Sequence, residues 1–280
     1  MNGAGLTYDL GALLGGVNTT LGGRTTNVGL AGTTYRIGGN NANSVFSGRI
    51  VNGNDTVSIV KVGSGLLALN GNNTYTGITT VSNGTLGGHG IISGPVNIVP
   101  GATLAPGTSV GRLTVSNSVT LGGATIMELD RINGVTTNDM LVANSISASG
   151  ALTVNNIGPT IFNGSVFRLF SIPVSGFSSV TLPAGYGWNN KLSVDGTIEL
   201  VSGGVVNTNP PVVTSISTGG TLTLNWPASH IGWSLQVQTN TLAVGISTNW
   251  VLVPGSATTN TATVNISPAA PAVFYRLTYP

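Results

Sequence analysis

Short runs of alternating apolar and polar residues, separated by glycine and asparagine, constrain the fold of this chain more than any other feature. Such runs predict strands whose side chains point to opposite faces in turn. Glycine and asparagine between them accept the positive φ angles of tight turns. No window shows the apolar spacing of a capped helix, so the sequence predicts an all-β protein. The runs include Thr56–Val62, Leu66–Leu69, Thr79–Val81, Val96–Val99, Leu113–Val115, Thr125–Leu129 and Ala151–Val154.

Charged residues are scarce. They make up 6% of the chain, against about 25% in a typical soluble domain. The nine basic and seven acidic residues give a net charge of +2 and form no cluster, which argues against nucleic-acid binding and against a basic membrane-surface patch. The absence of cysteine excludes disulfides and thiolate metal sites.

Residues 61–86 carry a specific pattern: Lys-x-Gly-x-Gly-x-Leu-x-Leu, then Asn-Thr-Tyr-Thr-Gly, then Gly-Thr-Leu. This pattern resembles the autotransporter-associated β-strand repeat and departs from it at Ile78, where a second glycine is common. The segment from Leu104 to Gly111 is similar to the end of such arrays, and the resemblance extends over roughly residues 30–200. The matching positions are Lys61, Gly63, Gly65, Leu67, Leu69, Asn73, Thr74, Tyr75, Thr76, Gly77, Gly84, Thr85 and Leu86.

The resemblance implies a right-handed parallel β-helix of the kind found in autotransporter passengers. Coils of roughly 20–25 residues would give about eight to ten rungs over the first 200 residues, stacked about 4.8 Å apart. Asn72, Asn83 and Asn97 are candidates for side-chain ladders between rungs. The predicted inward residues are Leu67, Leu69, Ile78, Val81, Leu86, Ile92, Val96, Ile98, Leu104, Leu113, Val115, Val119, Leu121, Ile126 and Leu129.

The composition of the sequence changes after Val201. Residues 203–211 are rich in glycine and proline, as linkers are, and residues 212–280 contain three of the four tryptophans. We therefore expect three parts: a β-helix over 1–202, a linker over 203–211, and a small antiparallel β-sandwich over 212–280. The phrase Leu222-x-Leu224-x-Trp226 resembles a fibronectin type III or immunoglobulin-like sandwich.

Few residues in the chain can carry chemistry. Glu128, Asp130 and Asp139 are the one acidic group close in sequence, and a carbohydrate-active β-helix enzyme would need such carboxylates as acid and base. The alternative is that they solubilise one rim of the solenoid. His89 and His230 have no neighbouring ligand in sequence and are expected in solvent-facing loops. We expect no catalytic residues, no metal and no cofactor.

The aromatic residues of the C-terminal part have two interpretations. Trp226 and Phe274 are expected in its core. Trp233, Trp250, Tyr275 and Tyr279 cannot all fit inside a module of this size. One or two of them are therefore candidates for a ligand-binding surface that stacks on sugars or docks a partner.

These observations favour a non-catalytic structural or adhesive protein, located outside the cell or on the bacterial surface. Expected partners are another copy of the chain, bound head to tail or by edge pairing into filaments, and a surface glycan. Neither nucleic-acid binding nor membrane insertion is expected. The first residues do not resemble a signal peptide, and we expect the natural chain to be longer. The alternatives are the carbohydrate-active enzyme above and a glycan-binding or envelope-anchoring sandwich.

Overall fold

The computed structural model describes residues 5–25, 32–133, 135–266 and 272–279. Most of the regular structure is short strands. The strands before residue 160 are β1 (Leu6–Leu10), β2 (Thr20–Gly22), β3 (Thr33–Ile37), β4 (Ser44–Phe46), β5 (Arg49–Val51), β6 (Val57–Lys61), β7 (Leu66–Leu69), β8 (Asn72–Asn73), β9 (Thr79–Val81), β10 (Thr85–Gly88), β11 (Ile91–Ile92), β12 (Val96–Ile98), β13 (Thr103–Pro106), β14 (Arg112–Leu121), β15 (Ala124–Ile132), β16 (Val135–Asn138), β17 (Met140–Ala148) and β18 (Ala151–Asn156).

The remaining strands are β19 to β28, with one short helix, α1, and two 3-10 turns at Ala228–His230 and Ser256–Thr258. No helix in the described residues is long and apolar enough to cross a membrane. The bounds are β19 (Val166–Arg168), β20 (Ser179–Thr181), β21 (Gly187–Lys191), α1 (Leu192–Asp195), β22 (Thr197–Ser202), β23 (Thr214–Thr218), β24 (Thr221–Asn225), β25 (Ser234–Thr239), β26 (Val251–Leu252), β27 (Thr261–Asn265) and β28 (Val273–Thr278).

Two compact units account for the chain. The first comprises residues 1–159, 167–184 and 190–198, and the second comprises residues 160–166, 185–189 and 199–280. The division falls within the strands β19, β21 and β22. The boundaries expected from the sequence, at residues 202 and 212, stay a prediction.

The first unit is a parallel β-solenoid of about seven turns, which confirms the predicted fold. One nine-stranded sheet has the order β1-β3-β6-β9-β12-β14-β11-β8, with β17 beside β14. An eight-stranded sheet has the order β20-β18-β15-β13-β10-β7-β4. Its strand β16 folds back antiparallel on β15 as a hairpin. Strands of successive coils therefore stack in register.

Coil length varies along the stack. Thr79 pairs with Val96, which makes a coil of 17 residues, whereas Val119 pairs with Ile146, which makes a coil of 27 residues. The longer coil contains the β15–β16 hairpin. Fewer turns form than the expected eight to ten because these long coils use more residues and because part of residues 160–202 belongs to the second unit.

Columns of mostly apolar residues fill the solenoid interior. Ser44, Leu67, Leu86, Leu104, Thr125 and Leu152 align in one column across six coils, and all are buried. A second column contains Ile37, Lys61, Val81, Ile98 and Leu121. Each position therefore packs on its equivalent one coil away.

Two residues predicted to face inward do not. Ile78 is 43% exposed, because its neighbour Thr79 takes the inward position in register with Ile59 and Val96. Ile126 is half-buried, because Thr125 and Met127 on either side of it face the interior. Side chains on a strand alternate, so a shift of one residue exchanges the two faces.

The second unit contains two three-stranded antiparallel sheets, with the orders β23-β24-β27 and β26-β25-β28. Leu224 and Trp226 on one side and Leu235 on the other form its buried core, with Tyr275 and Leu277 packed against them. Trp226 thus lies in the core as expected, while Phe274 is half-buried and its neighbour Tyr275 makes the core contact. The antiparallel sheets confirm the predicted architecture, and the kinship with fibronectin or immunoglobulin domains stays a prediction.

Close approach of coils requires glycine at some turns. A Cβ atom at Gly71 would lie 1.7 Å from the carbonyl oxygen of Gly48, whereas one at Gly16 would meet nothing within 4 Å. We expect Gly71→Ala to lower the free energy of unfolding by about 1–3 kcal/mol, as overpacking does. Gly16→Ala is the matched control and should change it little. Denaturant unfolding of both variants checks this, and equal effects would contradict the packing argument.

Candidate functional site

Lys61 is the first residue of the sequence pattern, and its side chain lies inside the solenoid. The residue is 1% exposed. Its ammonium group donates to the carbonyl oxygens of Val62 at 2.7 Å, Gly63 at 2.8 Å and Asn83 at 3.2 Å. Burial lowers the pKa of Lys61 below its usual value. All three N–H donors of the ammonium group are therefore matched to carbonyls, and Asn83 belongs to the following coil.

The glycines around Lys61 make room for its ammonium group. A Cβ at Gly84 would lie 2.7 Å from the Lys61 Nζ atom, and one at Gly63 would lie 2.0 Å from the carbonyl oxygen of Gly38. Gly63 and Gly84 also have φ values of +68° and +70°, which favour glycine. The Lys-x-Gly spacing is thus explained by a buried cation and the tight turns that surround it.

Asn73 connects three successive coils. The residue is fully buried. Its Oδ1 atom accepts from the backbone N–H of Ile50 at 3.0 Å in the preceding coil. Its Nδ2 atom donates to the carbonyl oxygens of Gly71 at 2.9 Å and Ile91 at 3.1 Å, the latter in the following coil. The Asn73 amide therefore supplies hydrogen bonds where strand pairing stops.

The predicted asparagine ladders need correction in detail. Asn72 is exposed, and its neighbour Asn73 is the buried one. Asn83 accepts from the adjacent N–H of Gly84 within its own turn, and Asn97 pairs in register with Thr80 and Thr120 through the backbone. Asparagines that the sequence did not single out bond between coils; for example, Asn41 accepts from the N–H of Ser64, and Asn43 accepts from the N–H of Leu66.

Tyr75 is a large, fully buried polar side chain. Its hydroxyl group shares a hydrogen bond with the hydroxyl of Thr79, which is also fully buried. Burial raises the pKa of Tyr75 above its usual value of 10.0, so the phenol stays protonated. We call Lys61, Asn73 and Tyr75 the repeat spine. Their polar atoms bond to the interior of the fold and present no group to a ligand.

The structure places two of the three candidate carboxylates together. Glu128 and Asp139 line one cavity of about 160 Å³. Asp130 is not among its lining residues, and its Oδ1 atom accepts from the backbone N–H of Arg131. No aromatic or arginine side chain lines the cavity, whose other walls are Leu66, Ala105, Pro106, Gly107, Thr108, Ser109 and Ile126.

The Asp139 carboxylate joins two backbone segments through hydrogen bonds. It is 1% exposed, and its Oδ1 and Oδ2 atoms accept from the N–H groups of Gly111 at 2.7 Å and Glu128 at 2.8 Å. Burial, opposed by these two hydrogen bonds, raises the pKa of Asp139 to about 7. No group of three or more potential metal ligands occurs in the described part of the chain.

The four aromatic residues proposed for ligand binding differ in their surroundings. Trp233 is 7% exposed, its indole N–H donates to the carbonyl of Asn207 at 2.8 Å, and its ring lies 5.7 Å from that of Tyr279. Tyr275 packs against the core. The Trp250 ring is covered by the guanidinium of Arg276 at 4.3 Å. A ligand-binding role for them stays a prediction.

The two histidines differ in their surroundings. His89 is exposed, as expected. His230 is only 4% exposed, which corrects the expectation of a solvent-facing loop. Its Nε2 atom lies 2.8 Å from the carbonyl oxygen of Asn209 and its Nδ1 atom lies 3.0 Å from the Ser229 hydroxyl. Sequence reasoning missed this because the carbonyl partner is 21 residues away.

Comparison with known families identifies the segment that contains the repeat spine. Residues 59–87 match the passenger-associated-transport-repeat family. This repeat and the parallel solenoid fit the β-helix of an autotransporter passenger. A search of the curated proteins finds no match to this chain.

Replacing Lys61 by methionine tests the role of its ammonium group. Lys61→Met keeps a long, unbranched side chain but leaves the carbonyls of Val62, Gly63 and Asn83 without their buried donor. We expect the free energy of unfolding to fall by at least about 1–3 kcal/mol, the cost of an unsatisfied buried polar group. Arg112→Met, at an exposed position, should change it by less than about 0.5 kcal/mol. Equal effects in denaturant unfolding would contradict the assignment.

Asp139 should make stability depend on pH in a defined direction. Its pKa in the folded chain, about 7, lies above the usual 3.8, so the folded state binds the proton more tightly. Its contribution to stability is therefore full below pH 4 and is lost as the pH rises through about 7. We expect the denaturation midpoint of the wild-type chain to fall between pH 4.5 and pH 7.5 by more than that of Asp139→Asn. Parallel pH profiles of the two proteins would contradict this.

Proposed function

We propose that this chain is a non-catalytic structural stalk, exposed on the bacterial surface or secreted, whose solenoid holds other surfaces at a fixed distance. The repeat spine supports this proposal. Lys61, Asn73 and Tyr75 are the distinctive polar residues of the matched repeat. The hydrogen bonds of Lys61 and Asn73 join coils to one another, and that of Tyr75 to Thr79 lies within one coil. The pattern of the repeat therefore stabilises the stacking of coils. The matched family is generally structural.

The same segment supports a location outside the cell. The passenger-associated repeat suggests a surface or secreted passenger. The chemistry of the chain suits that environment, because stability without cysteine does not depend on redox conditions. If the chain is also adhesive, exposed side chains on the outer face of the coils or on the second unit would contact the bound surface.

A stalk should tolerate a change of length in units of whole coils. We expect a second copy of residues 79–95, inserted before Val96, to add one coil, because Thr79 and Val96 occupy equivalent positions in register. The inserted variant should fold, with a stability close to that of the wild type, and its solenoid should lengthen by about 4.8 Å. Electron cryomicroscopy measures the length, and chemical denaturation measures the stability.

Two results would overturn the proposal. One is failure of the coil-inserted chain to fold, since a stack built from nearest-neighbour contacts should accept another unit. The other is cleavage of acidic or neutral polysaccharides by the wild-type chain that disappears in Glu128→Gln. The second result would favour a carbohydrate-active enzyme that uses the cavity of Glu128 and Asp139.

A further inference from the structure

Asn83 and Gly84 form one of four Asn-Gly pairs in the described part of the chain. An asparagine followed by glycine is especially prone to lose its side-chain amide, because a glycine without Cβ lets its backbone nitrogen reach the asparagine Cγ atom. The four pairs begin at Asn52, Asn70, Asn83 and Asn163. The hydrogen bonds of the four side chains differ, and they decide which pair can react in the folded chain.

The Asn83 side chain is held against the nitrogen of the next residue. Its Oδ1 atom accepts from the N–H of Gly84 at 2.7 Å. Since Oδ1 is bonded to Cγ, the Gly84 nitrogen lies beside the carbon atom that it would attack. Asn83 is also exposed, so water reaches it. A nucleophile fixed beside its target has already lost most of the entropy that ring closure costs.

In the other three pairs the asparagine amide is bound by a different segment. Each Oδ1 atom accepts from a backbone N–H at least five residues away. For Asn52, Asn70 and Asn163 these donors are Val57, His89 and Gly204 respectively. The N–H groups of Gly53 and Gly164 also donate to other carbonyls. The fold therefore holds these three amides away from the glycine nitrogen.

The Lys61 ammonium group lies at the peptide group that joins Asn83 to Gly84. The Gly84 nitrogen must lose its proton before it can attack, and amide resonance places much of the resulting negative charge on the Asn83 carbonyl oxygen. The Lys61 Nζ atom donates to that oxygen at 3.2 Å. A cationic donor already in place where negative charge develops lowers the barrier to the reaction.

We propose that Asn83 is a site of self-modification, at which the folded chain converts this asparagine to isoaspartate through a cyclic imide formed with Gly84. A bond forms between the Gly84 nitrogen and the Asn83 Cγ atom. The bond from Cγ to Nδ2 breaks, and Nδ2 leaves as ammonia with the proton that Gly84 has lost. The inference does not depend on the stalk proposal, because it concerns the chemistry of one turn.

Water then opens the imide ring. Its hydroxyl group adds to the former Asn83 carbonyl carbon, whose bond to the Gly84 nitrogen breaks, and its other proton goes to that nitrogen. The main chain now runs through the former side chain, and the oxygen atom that Lys61 contacts becomes part of a free carboxylate. The modification therefore replaces a neutral acceptor of the Lys61 ammonium group by an anion, so that an ion pair joins the two coils.

Comparison of the folded and the denatured wild-type chain tests the proposal. Both samples are incubated in mildly alkaline buffer, one with urea, then digested and analysed by mass spectrometry with electron-transfer fragmentation, which distinguishes isoaspartate from aspartate. In the folded chain we expect Asn83 to lose its amide at least about tenfold faster than Asn52, Asn70 or Asn163, because its nucleophile is already in place. In urea the four rates should converge, and Asn83 should react more slowly than in the folded chain.

Two results of this comparison would overturn the proposal. One is equal rates at the four asparagines of the folded chain, and the other is a rate at Asn83 that does not exceed its rate in urea. Asn83→Gln is the control for the assignment. It should remove the isoaspartate signal, because a longer side chain cannot close the same five-membered ring.

Lys61→Met tests the contribution of the ammonium group. We expect the rate at Asn83 to fall by about tenfold, as it does when a donor to a developing anion is lost. Arg112→Met, which removes an exposed cation, should leave the rate unchanged. An equal or faster reaction in a Lys61→Met chain with the circular dichroism of the wild type would contradict the role of Lys61. If that variant does not fold, the comparison of folded and denatured wild type decides.

Discussion

Parallel stacking of coils depends on the hydrogen bonds made where the strands end. Within a strand, each backbone group finds its partner one coil away, but at the turns this pairing is interrupted and buried carbonyls are left over. In this chain Lys61 and Asn73 supply the missing donors from inside the stack. The glycines beside them follow from this requirement, since their Cβ atoms would occupy the space of an ammonium group or a carbonyl. The solenoid thus combines an apolar interior with a few completely bonded polar side chains.

Periodicity predicted an all-β chain, and the resemblance to the autotransporter-associated repeat implied the parallel solenoid. Most of the inward residues could then be predicted, because inward and outward residues alternate in nearly every strand. The prediction was wrong at Ile78 and Ile126, where the register of neighbouring coils decides which of two adjacent residues faces inward. The ladder position was also misplaced by one residue, from Asn73 to Asn72. Errors of this kind arise because strand register depends on contacts between residues far apart in sequence.

The sequence identified the acidic residues and histidines that could take part in catalysis or metal binding, but it did not predict their surroundings. Glu128 and Asp139 lie together because Asp139 reaches back across the β15–β16 hairpin to the N–H of Glu128. The burial of Asp139 and of His230 could not be predicted, since their partners Gly111 and Asn209 lie 28 and 21 residues away. The aromatic residues of the second unit illustrate the same point: composition placed them in one module, but it did not show that Trp250 lies under the Arg276 guanidinium while Tyr275 packs against the core.

The burial of Lys61 also affects how readily proteases cleave the chain. Proteases of the trypsin type cut after lysine and arginine, and the chain has nine such residues in 280. One of them, Lys61, holds its side chain inside the solenoid, where a protease can bind it only after the coil opens. Opening must break hydrogen bonds to two turns at once, so cleavage at this position is limited by local unfolding. The folded chain is thereby protected from such proteases at a residue that also joins its coils.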